Sequence, residues 1–175
     1  MRPLLIAALP VVLAGPLLLA PPAIAGDRTC AGTIGAISTD KNLIVPEGKT
    51  CTLLGTRIHG NVDVKRNATL IARGVRVDGN IQAENHRRVE VHPRTVKGAL
   101  QKSRINGSIQ LKQGGGGELQ RAIVGSDIQL FSNRGRFTVR LNQVKGNLQC
   151  KSNNPTPIGG GNVVQGNKED QCRSL

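Results

Sequence analysis

The chain predicts an all-β fold, a single-domain right-handed parallel β-helix of about five to six coils with a disulfide at each end. Three observations predict it. First, one seven-residue frame keeps returning: Ile58-His59-Gly60-Asn61-Val62-Asp63-Val64, Val77-Asp78-Gly79-Asn80-Ile81-Gln82-Ala83, Ile105-Asn106-Gly107-Ser108-Ile109-Gln110-Leu111, Val124-Gly125-Ser126-Asp127-Ile128-Gln129-Leu130 and Val144-Lys145-Gly146-Asn147-Leu148-Gln149-Cys150. Aligned on Val62, Ile81, Ile109, Ile128 and Leu148, the copies are spaced 19, 28, 19 and 20 residues apart. A fixed period near twenty marks a solenoid in which each coil is too small to bury its own apolar face. Second, apolar residues alternate inside each copy, as at Val77, Ile81 and Ala83, which puts them on one inward face. Third, Cys30 and Cys51 lie 21 residues apart and Cys150 and Cys172 lie 22 apart, about one coil each.

The chain divides into three segments. Met1 and Arg2 precede an apolar run from Leu4 to Leu19 and a small-residue site ending Ala23-Ile24-Ala25, so residues 1–25 read as a signal peptide cleaved after Ala25. Its prolines at 10, 16, 21 and 22 argue against a membrane span, and secretion is the expected destination. Residues 26–56 read as an N-terminal cap and leading coil, with Leu43-Ile44-Val45 before the turn Pro46-Glu47-Gly48. Residues 57–175 read as the β-helix coils and a C-terminal cap.

Within each coil a second short strand is expected eight and ten residues after the alignment position, as at Leu70 and Ala72 or Val89 and Val91. The fourth copy has it one residue late, at Phe137 and Val139. A turn falls five residues after the alignment position, at Asn67, His86, Gly114, Asn133 and Asn153, where left-handed backbone is expected because Asn and Gly adopt it most cheaply. The interval of 28 holds extra residues around 92–98, expected to protrude as a loop. Gly114 to Gly117 reads as a flexible turn without the lysine and hydroxyl of a phosphate-binding loop.

Residues one coil apart stack roughly 4.8 Å apart, a separation a disulfide can bridge. The expected pairs are therefore Cys30–Cys51 and Cys150–Cys172, each worth roughly 3 kcal/mol through the loop it closes. Their spacing and an oxidising destination argue against a metal site, and no cofactor is expected.

Val45-Pro46-Glu47-Gly48 leading into Cys51-Thr52-Leu53, the repeated Gly-Asn-Ile-Gln units, and the ending Gly146-Asn147-Leu148-Gln149-Cys150 through Gly166-Asn167-Lys168-Glu169-Asp170-Gln171-Cys172 resemble a family of small secreted bacterial proteins of actinobacterial type. That family is similar to right-handed parallel β-helices with the pectin-lyase-like fold. The resemblance implies a fold and a secreted location; it carries no activity and no catalytic residue.

Composition narrows the function. With 24 Lys and Arg against 11 Asp and Glu, the formal net charge is +13, which favours an anionic partner such as an acidic polysaccharide or a cell-envelope polymer. Tyr and Trp are absent and Phe131 and Phe137 are the only aromatics, so stacking platforms for nucleic acid or sugar rings are disfavoured. Five residues before the alignment position stand Arg57, Arg76 and Arg104 in successive copies, the candidate site: three guanidinium groups at rung spacing match regularly spaced carboxylate, sulfate or phosphate. Lys65, Arg66, Arg87 and Arg88 are expected to extend that patch. The amides at 82, 110, 129 and 149, with Asp63 at the head of their column, read as an outward ladder serving the solenoid.

Catalysis is not expected. His59 and Asp78 hold the same place in adjacent copies, the beginning of general acid/base chemistry, but no Ser or Cys nucleophile is placed beside them. The acids Asp63, Asp78, Glu84, Glu90, Glu118 and Asp127 read as scattered, which disfavours calcium-dependent polysaccharide cleavage. The expectation is a monomeric, non-catalytic binding or structural module. The alternatives are a small polysaccharide-active enzyme of pectin-lyase-like type and a solenoid that self-assembles end to end.

Overall fold

A computed structural model describes residues 26–175; the expected signal peptide, 1–25, lies outside them. The described chain is all β and winds as a parallel solenoid whose coils contribute one strand to each of three sheets. Sheet A holds eight strands, from Arg28–Thr29 and Leu43–Val45 through Val62–Val64, Ile81–Glu84, Ile109–Lys112, Ile128–Phe131 and Leu148–Lys151 to Lys168–Asp170. Sheet B holds seven, from Gly32–Ile34 to Ile158–Gly160, and sheet C seven two-residue strands, from Ser38–Thr39 to Val163–Val164. No helix of the described residues is long and apolar enough to cross a membrane.

The repeat register is the strand register. Val62, Ile81, Ile109, Ile128 and Leu148 pair in sequence along sheet A. In sheet B, Leu70, Val89, Gly117 and Phe137 pair in the same way. The inward residues of all three sheets form one core; Leu43, Ile58, Leu70, Ile81, Ile105, Ile128 and Phe137 are fully buried.

The coil count is higher than the five to six expected, at about eight. The segment 26–56 does more than cap: Arg28 pairs with Leu43, Gly32 with Cys51 and Ser38 with Arg57, so it winds within the same ladders. At the other end Ile158–Gly160, Val163–Val164 and Lys168–Asp170 complete a further coil. The frame is hard to see at 37–45 because Lys41 replaces its glycine, although Asn42-Leu43-Ile44-Val45 still matches Asn61-Val62-Asp63-Val64.

Both expected disulfides are present, Cys30–Cys51 with Cα atoms 5.5 Å apart and Cys150–Cys172 at 5.2 Å. The second holds the tail 171–175 over the C-terminal end of the core, where Cys172 and Leu175 are buried.

The frame's Gly-Asn pair has a steric origin. Asn61 Oδ1 accepts from the backbone N–H of Asn80, and Asn80 Oδ1 from that of Ser108, so each side chain bonds up the stack. That seats the amide oxygen under the glycine of the next coil: a Cβ on Gly79 or Gly107 would stand 2.4 Å from it. The outward amides form a ladder as well, with Gln82 donating to Gln110, Gln129 to Gln149 and Gln149 to Glu169.

At the corner between sheets A and B the left-handed residues are Asn67, Asn85, Gln113, Ser132 and Ser152, with φ between 52° and 56°. In four of these five coils that is one residue earlier than the sequence suggests. The residue that follows turns inward instead: His86, Asn133 and Asn153 are buried. Asn133 and Asn153 each donate to a carbonyl, of Leu111 and Leu130, and the backbone N–H groups of Gly114 and Asn133 bond to their side-chain oxygens. Inside an apolar core, amides must find such partners, and the stack supplies them.

Gly114 to Gly117 is packed rather than flexible. A Cβ on Gly114 would lie 2.3 Å from the His86 ring, and one on Gly117 would lie 2.0 Å from the Val89 carbonyl oxygen and 2.8 Å from Phe137. The bare backbone of one coil makes room for the large rings of its neighbours.

The extra residues at the long interval fold as an antiparallel hairpin, Arg94–Val96 with Ala99–Gln101, rather than a loop. It lies against the corner between sheets B and C: Arg94 Nη1 donates to the Leu54 carbonyl at 2.9 Å, and its Cβ lies 2.8 Å from where a Cβ of Gly74 would be. That corner has its own left-handed column, with Gly55, Gly74 and Gly161 but also Arg121 and Leu141, the last at φ 57° and half exposed. Left-handed backbone costs a branched residue roughly 1–2 kcal/mol. Leu141→Asn, which suits that conformation without loosening the unfolded chain, is expected to raise the unfolding free energy by roughly 1 kcal/mol in a urea titration.

Candidate functional site: the arginine row of sheet C

Sheet C places its outward residues in a column, because each of its strands is two residues long and one of the two must point into the core. Ile58, Val77 and Ile105 point inward and are fully buried, so Arg57, Arg76 and Arg104 point outward. Arg57 pairs with Arg76, and Arg76 with Arg104, on successive rungs. The register expected from the sequence therefore holds, and Ser38 precedes the row while Ile123 and Gln143 follow it.

One carboxylate reduces the repulsion within the row. Asp78 Oδ2 lies 3.9 Å from Arg57 Nη2 and Asp78 Oδ1 lies 3.5 Å from Arg76 Nε. It also accepts from His59 Nδ1 at 2.8 Å and from Asn106 Nδ2 at 3.0 Å. Loss of hydration at Asp78 works against its charge, but the hydrogen bond from His59, then Arg57 and Arg76, outweigh it and hold the carboxyl below the usual aspartate range. Arg104 has no such neighbour: among the described residues no carboxylate lies within ion-pair distance of it. The row thus presents three guanidiniums against one carboxylate, with the side chains of Arg57 and Arg76 46% and 49% exposed.

The other predicted basic residues do not join this row. Arg88 begins a strand of sheet B and lies between Glu90 at 2.6 Å and Glu118 at 3.2 Å. Arg87 sits at the corner between sheets A and B and donates to Thr69 Oγ1. Lys65 pairs with Asp63, and Arg66 with Glu47 at 2.8 Å. Arg66 and Arg87 instead line a groove of about 440 Å³ together with Arg134. The reason is the triangular section of the coil: residues ten positions apart in the repeat emerge on different sides. Of the acids read as scattered, Glu90 and Glu118 are in fact strand partners, bridged by Arg88, with His92 Nε2 3.4 Å from Glu118.

The sequence reading missed a hydroxyl. Ser38 Oγ lies 3.2 Å from His59 Nε2, one coil below the His59–Asp78 pair, and Asp40 Oδ1 stands 3.8 Å from the same nitrogen. One period back from His59 is Asp40; Ser38 is the register partner of Arg57 and reaches His59 on the diagonal, two residues off, and the segment carrying it lacks the Gly-Asn frame that would have fixed the count.

These features define a parallel β-solenoid with a basic row on its narrowest sheet. Comparison of the chain with protein families, curated proteins and solved structures finds no match.

Proposed function

We propose that the protein is a secreted binding module for an anionic polymer, an acidic polysaccharide or a cell-envelope polymer, held along Arg57, Arg76 and Arg104. The observation that carries this reading is the row itself: three guanidiniums one rung apart, outward, with a single carboxylate among them. A polymer with repeated negative charge can supply the missing counter-charges, each through two parallel hydrogen bonds. The net charge of +13 supports encounter with such a partner. The two disulfides favour an oxidising compartment, in keeping with secretion, and the resemblance to small secreted β-helices of pectin-lyase-like type points the same way.

The test is retention on immobilised acidic polysaccharides and envelope polymers at low and physiological salt, with neutral glycans as controls. The variant Arg57→Ala/Arg76→Ala/Arg104→Ala is expected to lose at least about tenfold in affinity relative to Arg134→Ala/Arg136→Ala/Lys151→Ala, which removes equal charge elsewhere. Equal losses would reduce the binding to net charge and sink the reading.

A further inference from the structure

Ser38, His59 and Asp78 come from three successive coils and meet on the outer surface of sheet C. Ser38 Oγ is 3.2 Å from His59 Nε2, and His59 Nδ1 is 2.8 Å from Asp78 Oδ2. The order of contacts assigns the protons. Asp78 stays ionised between Arg57, Arg76 and Asn106, so Nδ1 carries the hydrogen and donates to it. Nε2 then keeps its lone pair and accepts from the Ser38 hydroxyl, which is nearer than Asp40. A hydroxyl, a base and a carboxylate that orients the base are the parts of nucleophilic acyl transfer, recognised by geometry and not by chain order.

A fourth group is in place. Arg57 is the strand partner of Ser38, so its guanidinium projects from the adjacent rung on the same side. Ser38 also lies on the terminal strand of sheet C. Because the backbone N–H groups of Arg57 and His59 donate to the carbonyls of Ile37 and Thr39, alternation along the strand turns the Ser38 N–H toward the open edge. A guanidinium and a backbone N–H are the kinds of donor that stabilise a developing oxyanion.

We propose that Ser38 is a nucleophile that cleaves carboxylic esters with small acyl groups, with His59 as base and Asp78 as the group that positions it. Ser38 Oγ attacks the carbonyl carbon and passes its proton to His59 Nε2, while Arg57 holds the oxyanion. The tetrahedral species collapses, the bond to the alcohol oxygen breaks, and that oxygen takes the proton from Nε2. Water then attacks the acyl-serine, gives a proton to Nε2, and collapse returns Ser38 Oγ its hydrogen and releases the carboxylic acid. Ser38 and His59 are exposed on an open surface, so the acyl group is small and the alcohol can be part of a large molecule such as the polymer proposed above. The nucleophile itself does not rest on that reading. The expectation of no catalysis rested partly on the lack of a hydroxyl beside His59, and Ser38 supplies one.

The test is labelling of the purified protein with a fluorophosphonate, from which the serine oxygen displaces fluoride, followed by peptide mapping, together with hydrolysis of p-nitrophenyl acetate. Expected are label on Ser38, no label and no serine-dependent burst in Ser38→Ala, and labelling at least about 100-fold slower in His59→Gln and Asp78→Asn. Arg136→Ala, exposed and outside both the relay and the arginine row, should label normally; labelling by the probe needs no polymer, so failure of this proposal is read apart from failure of polymer binding. Circular dichroism of each variant checks that the substitutions leave the fold intact. An unlabelled Ser38, or equal labelling in His59→Gln, overturns the proposal.

Discussion

Phe137→Ala is expected to lower the unfolding free energy by about 3–5 kcal/mol, measured by guanidinium titration. Phe137 is fully buried, and of the two aromatic side chains in the chain it is the one that fills the core; Phe131 is only half buried. Its space is created by the neighbouring coil, where Gly117 has no side chain; a Cβ there would come within 2.8 Å of the ring. His86 meets the same ring edge-on, with centroids 6.1 Å apart and an interplanar angle of 64°. Removing Phe137 therefore leaves a cavity that neither partner can fill, because Gly117 has no atoms to move in and His86 is held by its own coil. Phe131→Ala is the comparison, expected to cost about half as much or less. Equal losses at the two positions would mean that the coils close over the gap.

The second large effect is a loss of stability in mild acid that runs through His86. The imidazole is buried, and burial lowers its pKa from 6.5 to about 4, with the Ala83 carbonyl opposing in part. Neither ring nitrogen has a hydrogen-bond partner. The Ala83 carbonyl therefore acts as a nearby dipole and not as a well-formed acceptor. At pH 7 the ring is neutral in the folded chain and mostly neutral in the unfolded one, so it contributes little difference. As pH falls below about 6.5 the unfolded chain takes up a proton that the folded chain refuses, so stability declines progressively toward pH 4, by as much as about 3 kcal/mol. His86→Asn, which continues the buried amide column of Asn133 and Asn153, is expected to remove most of that decline. His92, whose pKa is also lowered chiefly by burial, contributes in the same direction. The difference between wild type and variant, from urea titrations at pH 7 and pH 4, isolates the His86 share; parallel declines would rule out the assignment.

Both effects arise where coils exchange volume, and such exchanges are poorly visible along the chain. Gly117 and Phe137 occupy one column, but along the chain Gly117 reads as part of a flexible glycine turn and Phe137 as an ordinary inward residue. His86 reads as an odd member of an Asn turn and not as a ring filling space above Gly114. The hairpin at Arg94–Gln101 looks like a polar insertion, since the Arg94 side chain that fixes it reaches back to a carbonyl 40 residues earlier.

The sequence by itself determined the period, the register and what the register implies. Those include the stacked core residues, the two disulfides, the amide ladders, the row of Arg57, Arg76 and Arg104, and the contact of His59 with Asp78. All of these follow from one fact: residues one period apart lie one rung apart, so counting substitutes for seeing. The tertiary structure decided the rest. It set the number of coils, because the first ones pair by backbone hydrogen bonds and do not depend on the Gly-Asn frame. It separated Arg87 and Arg88 from the arginine row, because the section of the coil has three sides and the period does not say where the corners fall. And it brought Ser38 to His59, because the contact runs diagonally between neighbouring strands, two residues off the register, and a repeat count pairs only residues one period apart.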